Sequence, residues 1–229
     1  MHGDIRDDPV TADKIVNALA EHAGRSVAPQ QAEQLAIYLD CLLRWNRRMN
    51  LVSAADWETA LTKLILDSFF LAELLDGIRP VPEPRVLDIG AGAGLPGIPY
   101  RILRHGGRYT MLEPRGKRQS FLRFVLSRIR LPATEAVQAR LEDLPPESSR
   151  ADVILGRGTA HWRKFLELVE PYGTNDAVAV VFSGSSFPQG ETPPGQWQLL
   201  RETPYRTSPE LATRYFWAFS SFSPKKAPS

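Results

Sequence analysis

The stretch Val86-Leu87-Asp88-Ile89-Gly90-Ala91-Gly92-Ala93-Gly94-Leu95-Pro96-Gly97 constrains this chain more than any other. A short apolar run ends in a carboxylate. Three glycines follow at alternate positions, and Leu-Pro-Gly opens into an apolar segment of helical character. A strand that enters a glycine turn and leaves as a helix brings backbone close to a ligand that side chains would hold away.

The surrounding pattern supplies the sheet that such a turn needs. From Arg85 onward, apolar runs bounded by turn residues alternate with helical segments. Strands are expected over 85–89, 108–112, 133–139, 151–155 and 177–183, and helices over 98–105, 116–129 and 162–172. Such alternation means a parallel sheet covered on both faces. Two further strands, 197–203 and 214–222, have no room for a helix between them and read as an antiparallel pair at one sheet edge. The fold class is therefore α/β, a Rossmann-like, mostly parallel seven-stranded sheet.

Before Arg85 the chain is helical. Ile15, Val16 and Leu19 fall at helical spacing, with Gly24 as a stop. A second helix starts near Pro29, carries Leu35, Leu39 and Leu42, and ends in Arg44-Trp45-Asn46-Arg47-Arg48-Met49-Asn50. Asp56 reads as the N-cap of a third. Residues 1–10 and 225–229 read as tails, and Pro80, Pro82 and Pro84 as a stiff connector. We thus divide the chain into an N-terminal helical extension, 1–80, packed on the core, and a cofactor-binding domain, 81–229.

The turn matches G-x-G-x-x-G over Gly92 to Gly97, a pattern common to dinucleotide and S-adenosylmethionine (SAM) sites. Two details favour SAM. Asp88 at the strand end would oppose a pyrophosphate but suit the amine and sulfonium cations of SAM. Pro96 and Pro99 lack the N–H groups that a pyrophosphate would seek at a helix start. Glu113, at the end of the next strand, can accept ribose hydroxyls of either ligand. Leu141 and Glu142 follow the third strand, where the adenine would lie. Arg157, between Gly156 and Gly158 after the fourth, could bind a phosphate, a guanine edge or the methionine carboxylate; a plain surface arginine would read the same way.

Charge is distributed unevenly on a chain of net charge +2. From Pro114 to Thr134 there are six Lys and Arg residues and no acid. That suits an anionic partner, or a solvated helix face. The single cysteine, Cys41, permits no internal disulfide and no cysteine-based zinc site, and it reads as a core residue. No metal site is expected. No apolar run approaches the roughly 18 residues of a membrane span, so a cytoplasmic protein is the default.

The chain resembles the GidB/RsmG family of 16S rRNA methyltransferases. The resemblance is carried by Asn46-Arg47-Arg48-Met49-Asn50-Leu51-Val52-Ser53, Ile65-Leu66-Asp67-Ser68, the glycine stretch extended through Ile98-Pro99, Gly116-Lys117-Arg118 with Phe121-Leu122-Arg123, and Gln138-Ala139-Arg140-Leu141-Glu142. It implies SAM-dependent methylation of guanine N7 in the 530-loop region, on 16S rRNA or the small ribosomal subunit, by a monomer. It further implies that Gly90 and Leu95 line the SAM pocket, that Glu113 holds the ribose, and that Leu141 and Glu142 border the adenine; Asp88, Gly92 and Gly94 of the same turn join the cofactor site on residue type and position alone. Arg157 would serve the cofactor and position the acceptor. Arg47, Arg48, Lys117, Arg118 and Arg123 would meet RNA. The chain departs from the family at Gly156 and Gly158, where Ser and Ala are usual, at Leu64 for His and at Ser183 for Lys, all on the substrate side. Alternatives are a divergent methyltransferase of another RNA or a small molecule, and a nucleotide- or RNA-binding protein without catalysis.

Overall fold

The computed structural model describes residues 9–78 and 82–221; the tail readings for 1–8 and 225–229 and the connector residue Pro80 lie outside them. Helix α1 (Ala12–Ala23) starts where the Thr11 hydroxyl accepts the Lys14 N–H and stops at Gly24, left-handed at φ 58°. Helix α2 (Pro29–Met49) begins on a proline and stops at left-handed Asn50. Asp56 caps α3 (Trp57–Ala60), its carboxylate accepting the Thr59 N–H at 2.7 Å. The third sequence-predicted helix is one rod in three parts: α3, a π-helical turn at Leu61–Ile65, and α4 (Leu66–Ile78).

The sheet has seven strands in the order β3-β2-β1-β4-β5-β7-β6. They are β1 (Arg85–Ile89), β2 (Arg108–Leu112), β3 (Thr134–Val137), β4 (Ala151–Gly156), β5 (Gly173–Ser183), β6 (Trp197–Tyr205) and β7 (Arg214–Ser221). Strands β1 to β5 pair in parallel, and β7 inserts antiparallel between β5 and β6. Strand β3 is shorter than its apolar run. Ala133 sits at φ 48°, outside strand geometry, and the Ala139 N–H turns back onto the Val137 carbonyl. Helices α5 (Gly97–Leu103), α6 (Gly116–Arg128) and α7 (Trp162–Val169) cross between strands, α7 running into a 3-10 turn at Glu170–Tyr172.

Because strand side chains alternate, each face of the sheet has its own core. Val86, Met111, Val153 and Val180 pack with helices α1, α2 and α4 to α6, whereas Leu87, Ile154, Ala179 and Phe219 pack with α7. The N-terminal helices are thus continuous with one face of the sheet. They also reach the glycine turn: the Tyr38 hydroxyl donates to the Ala93 carbonyl at 2.8 Å, and the Ser68 hydroxyl to the Pro96 carbonyl at 3.0 Å, both buried. At the opposite end of the strands, fully buried Arg101 donates to the carbonyls of Arg104, His105, Gly106, Gly107 and Pro132. This staple fixes the approach to β2, and sequence pattern does not announce it.

Candidate active site

A cleft of about 570 Å³ opens at the carboxyl ends of β1, β2 and β4. Its floor is Ile89, Gly90 and Leu112; one side is Glu113, Arg115 and Arg118, the other Arg157, Gly158 and Thr159, and Arg140, Leu141 and Glu142 close the third. Its size suits a nucleoside-bearing cofactor.

The glycines divide the labour. Gly90, at φ 67°, lies on the cleft floor, and a Cβ there would stand 2.7 Å from Thr159 Cγ2. Gly92, at φ 60°, donates its N–H to Glu113 Oε2 at 2.9 Å. Gly94 does not line the cleft. A Cβ on it would meet Ile98 Cδ1 at 2.4 Å, so its bareness serves the packing of α5. Leu95 is buried in the apolar core beside it.

Glu113 is buried at the tip of β2 and holds two backbone donors, Gly92 N–H on Oε2 and Arg115 N–H on Oε1, each at 2.9 Å. The carboxylate is therefore oriented before any ligand arrives. Leu141 and Glu142 sit on a 3-10 turn whose Leu141 carbonyl accepts the Tyr172 hydroxyl at 2.9 Å.

Asp88 is placed differently from the sequence expectation. It is fully buried beneath the turn rather than in the cleft wall. Its Oδ2 accepts the Tyr109 hydroxyl at 3.1 Å, and a Cβ on Gly97 would come within 2.5 Å of the same oxygen. Burial pushes its pKa up to about 7 against the Tyr109 hydrogen bond and the nearby Arg157 charge. The alternation of β1 explains the placement: Leu87 and Ile89 face α7, so Asp88 must face α5.

Arg157 lines the cleft and is anchored from behind. Its Nη2 lies 3.1 Å from Oδ2 of Asp67, a fully buried residue of α4. Arg214, at the start of β7, donates to both oxygens of the same carboxylate at 2.7 and 2.9 Å. Arg157 Nη1 is buried with no hydrogen-bond partner among the described residues. Three distant segments therefore meet at one carboxylate. Sequence reasoning assigned Asp67 no role, although an acid inside the apolar run from Leu64 to Leu75 was a legible signal. Arg115 belonged to the basic stretch after Pro114 and Arg140 to the string ending in Glu142, without an individual role for either; Arg214 carried no signal.

Lys117 and Arg123 are exposed on α6, and Arg118 reaches the cleft from its first turn; Arg47 and Arg48 are exposed at the end of α2. The two basic segments adjoin because Trp45 packs on Phe121 and Phe124, with ring centroids 5.6 and 5.5 Å apart. Of the departures, Gly156 is required here, since a Cβ would fall 2.3 Å from the Phe165 ring. Gly158 is left-handed at φ 65°, and Ser183 turns back on Ser185 to end β5. Leu64 is half-buried on the π-helical turn.

The strand order, the glycine turn and the oriented carboxylate at the tip of β2 define a class I SAM-dependent methyltransferase. Solved structures agree on the fold. A SAM-dependent methyltransferase from Aquifex aeolicus has a TM-score of 0.51 at 15% identity, covering 71% of this chain and 93% of that one. A putative methylase from Haemophilus influenzae has a TM-score of 0.51 at 17% identity, covering 69% and 91%. The chain belongs to the GidB family, described as rRNA small subunit methyltransferase G, whose profile matches residues 31–191. A ribosomal RNA small subunit methyltransferase G of Nitratidesulfovibrio vulgaris is 40% identical over 205 residues, 90% of this chain and 92% of the relative. Its counterpart in Oleidesulfovibrio alaskensis is 35% identical over 222 residues, 93% and 95%. The enzyme is accordingly a methyltransferase of ribosomal RNA, and its cofactor is SAM.

Proposed function

We propose that the acceptor is N7 of a guanine in the 530-loop region of 16S rRNA, methylated in the cytoplasm on the RNA of the small subunit. The observation that carries this reading is the composition of the cleft wall. Its titratable side chains are Glu113, Glu142 and four arginines. Arginine stays protonated and cannot serve as a base, both oxygens of Glu113 already hold backbone N–H groups, and Glu142 stands on the 3-10 turn beside Leu141, the side given to the adenine rather than to the methyl group. A wall of this kind suits a nucleophile that needs no deprotonation. Guanine N7 offers a lone pair in the neutral base, unlike an exocyclic amine. SAM, when bound, supplies an electrophilic methyl on its sulfonium.

The roles then follow from placement. Glu113 accepts the ribose hydroxyls, Leu141 packs on the adenine with Glu142 at its border, and the bare backbone of Gly90 lets the methionine portion pass. Asp88 supports the turn from below. Arg115, Arg118 and Arg140 at the mouth hold RNA phosphates, and Arg157, anchored on Asp67, positions the acceptor base. Catalysis rests on alignment and exclusion of water. The base must leave its stack to reach the cleft.

The test is methyl transfer from labelled SAM to purified small subunits, with N7-methylguanine mapped by borohydride–aniline strand cleavage. A single new cleavage in the 530-loop region is expected. Label at another nucleotide, on another atom, or only on small molecules overturns the reading.

A further inference from the structure

We propose that Phe124 and Trp45 form a stacking platform for an unpaired base of the RNA, separate from the methylated one; the inference rests on the RNA reading above. Phe124 is 39% exposed, among the few large apolar side chains left open to solvent. It lies on α6, whose first turn brings Arg118 to the cleft. Six residues on, at 1.5 Å rise each, Phe124 is about 9 Å along the helix axis from that residue. It is therefore near the active site but outside it.

Its neighbours have the charge that an RNA strand needs. Lys117, Phe121, Phe124 and Arg128 fall at i, i+4, i+7 and i+11, one face of the helix. Along that face the order is exposed Lys117, buried Phe121, exposed Phe124 and exposed Arg128, so the ring has one cation a turn away and another two turns away. Trp45 of α2 completes the surface, its ring 5.5 Å from Phe124 and inclined 39°. On α2, Arg44 is paired with Asp40 one turn back, its Nε 2.9 Å from Oδ1, so the charge offered beside the ring comes from Lys117 and Arg128 of α6. No acid occurs in the sequence between Pro114 and Thr134. An aromatic face flanked by cations binds single-stranded nucleic acid: the rings take bases and the cations take phosphates.

Stacking and charge separate in an experiment on the full-length enzyme with purified small subunits. Phe124→Leu keeps an apolar side chain against Trp45 but removes the ring face, and KM for the subunit should rise about tenfold. Phe124→Trp should restore it. The salt dependence of log KM should be unchanged in Phe124→Leu, whereas Lys117→Ala should flatten its slope by about one. Affinity for SAM and thermal midpoint, read alongside, should match the wild type. A wild-type KM in Phe124→Leu, or a Phe124→Trp no better than Phe124→Leu, overturns the platform while leaving the methyltransferase reading intact. Failure of the wild type itself to methylate subunit RNA overturns the RNA reading and the platform with it.

Discussion

The two carboxylates nearest the glycine turn do opposite work. Glu113 faces the cleft, and a backbone donor on each of its oxygens fixes its orientation. Replacing it with Gln leaves one of those N–H groups facing an amide donor and removes a charge-assisted acceptor. SAM affinity should fall at least tenfold, because hydrogen bonds to charged groups contribute about 1.5–3 kcal/mol; undiminished affinity by calorimetry would remove Glu113 from the cofactor site. Asp88 is buried with its pKa raised to about 7 from an ordinary 3.8. Between those values the folded state holds a proton that the unfolded chain has released. Stability therefore falls as pH rises from about 4 to 7. At 1.36 kcal/mol per unit the loss is up to about 4 kcal/mol. Asp88→Asn keeps an oxygen acceptor for Tyr109 and carries no charge, so its urea midpoint should vary less over this window. Parallel pH profiles for variant and wild type would refute the assignment. The sequence displayed both acids at strand ends. Which one faces a ligand depends on strand alternation and on the room left by Gly97, and neither is visible in a motif.

At the scale of elements, periodicity served well where one side chain pattern met one environment. Strands β1, β2 and β4 and helix α6 fall where alternating apolar runs place them, and the antiparallel pair sits at the edge. The sequence could not show that β7 rather than β6 pairs with β5, because order in a sheet is decided by long-range pairing. Nor could it show the meeting of α4, β4 and β7 at Asp67. That carboxylate is 1% exposed and holds Arg157 and Arg214, side chains 28% and 31% exposed. Removing one partner of a fully buried pair costs about 3–5 kcal/mol; solvent at these guanidinium groups reduces it. Asp67→Asn should destabilise the enzyme by about 2 kcal/mol in urea unfolding. It should also lower kcat more than it raises KM for SAM, because Arg157 loses its anchor while Glu113 and Leu141 are untouched. Equal loss in both, or wild-type kcat, would show that the anchor does not serve the reaction.

At the scale of the whole molecule, the division of the chain at residues 80 and 81 marks a change in sequence pattern, from helical spacing to alternation. The packing runs across it. Leu35, Leu39, Leu42, Ile65 and Leu71 from the extension share one core with Val86, Ile98, Met111 and Phe121 of the sheet domain. Tyr38 and Ser68 supply the buried hydrogen bonds that hold Ala93 and Pro96 of the cofactor turn. The extension is thus part of the wall behind the site, and its α2 also carries the basic end that adjoins α6. A shared core of this kind should unfold cooperatively. We expect a single calorimetric transition with equal calorimetric and van't Hoff enthalpies, and SAM should raise its midpoint as a whole, since ligand bound to the native state stabilises everything coupled to it. Two transitions, of which only the later one moves with SAM, would mean that the helices are an independent unit resting on the sheet. In that case Tyr38→Phe would leave the cofactor affinity unchanged, whereas with a shared core it should weaken it together with the thermal midpoint.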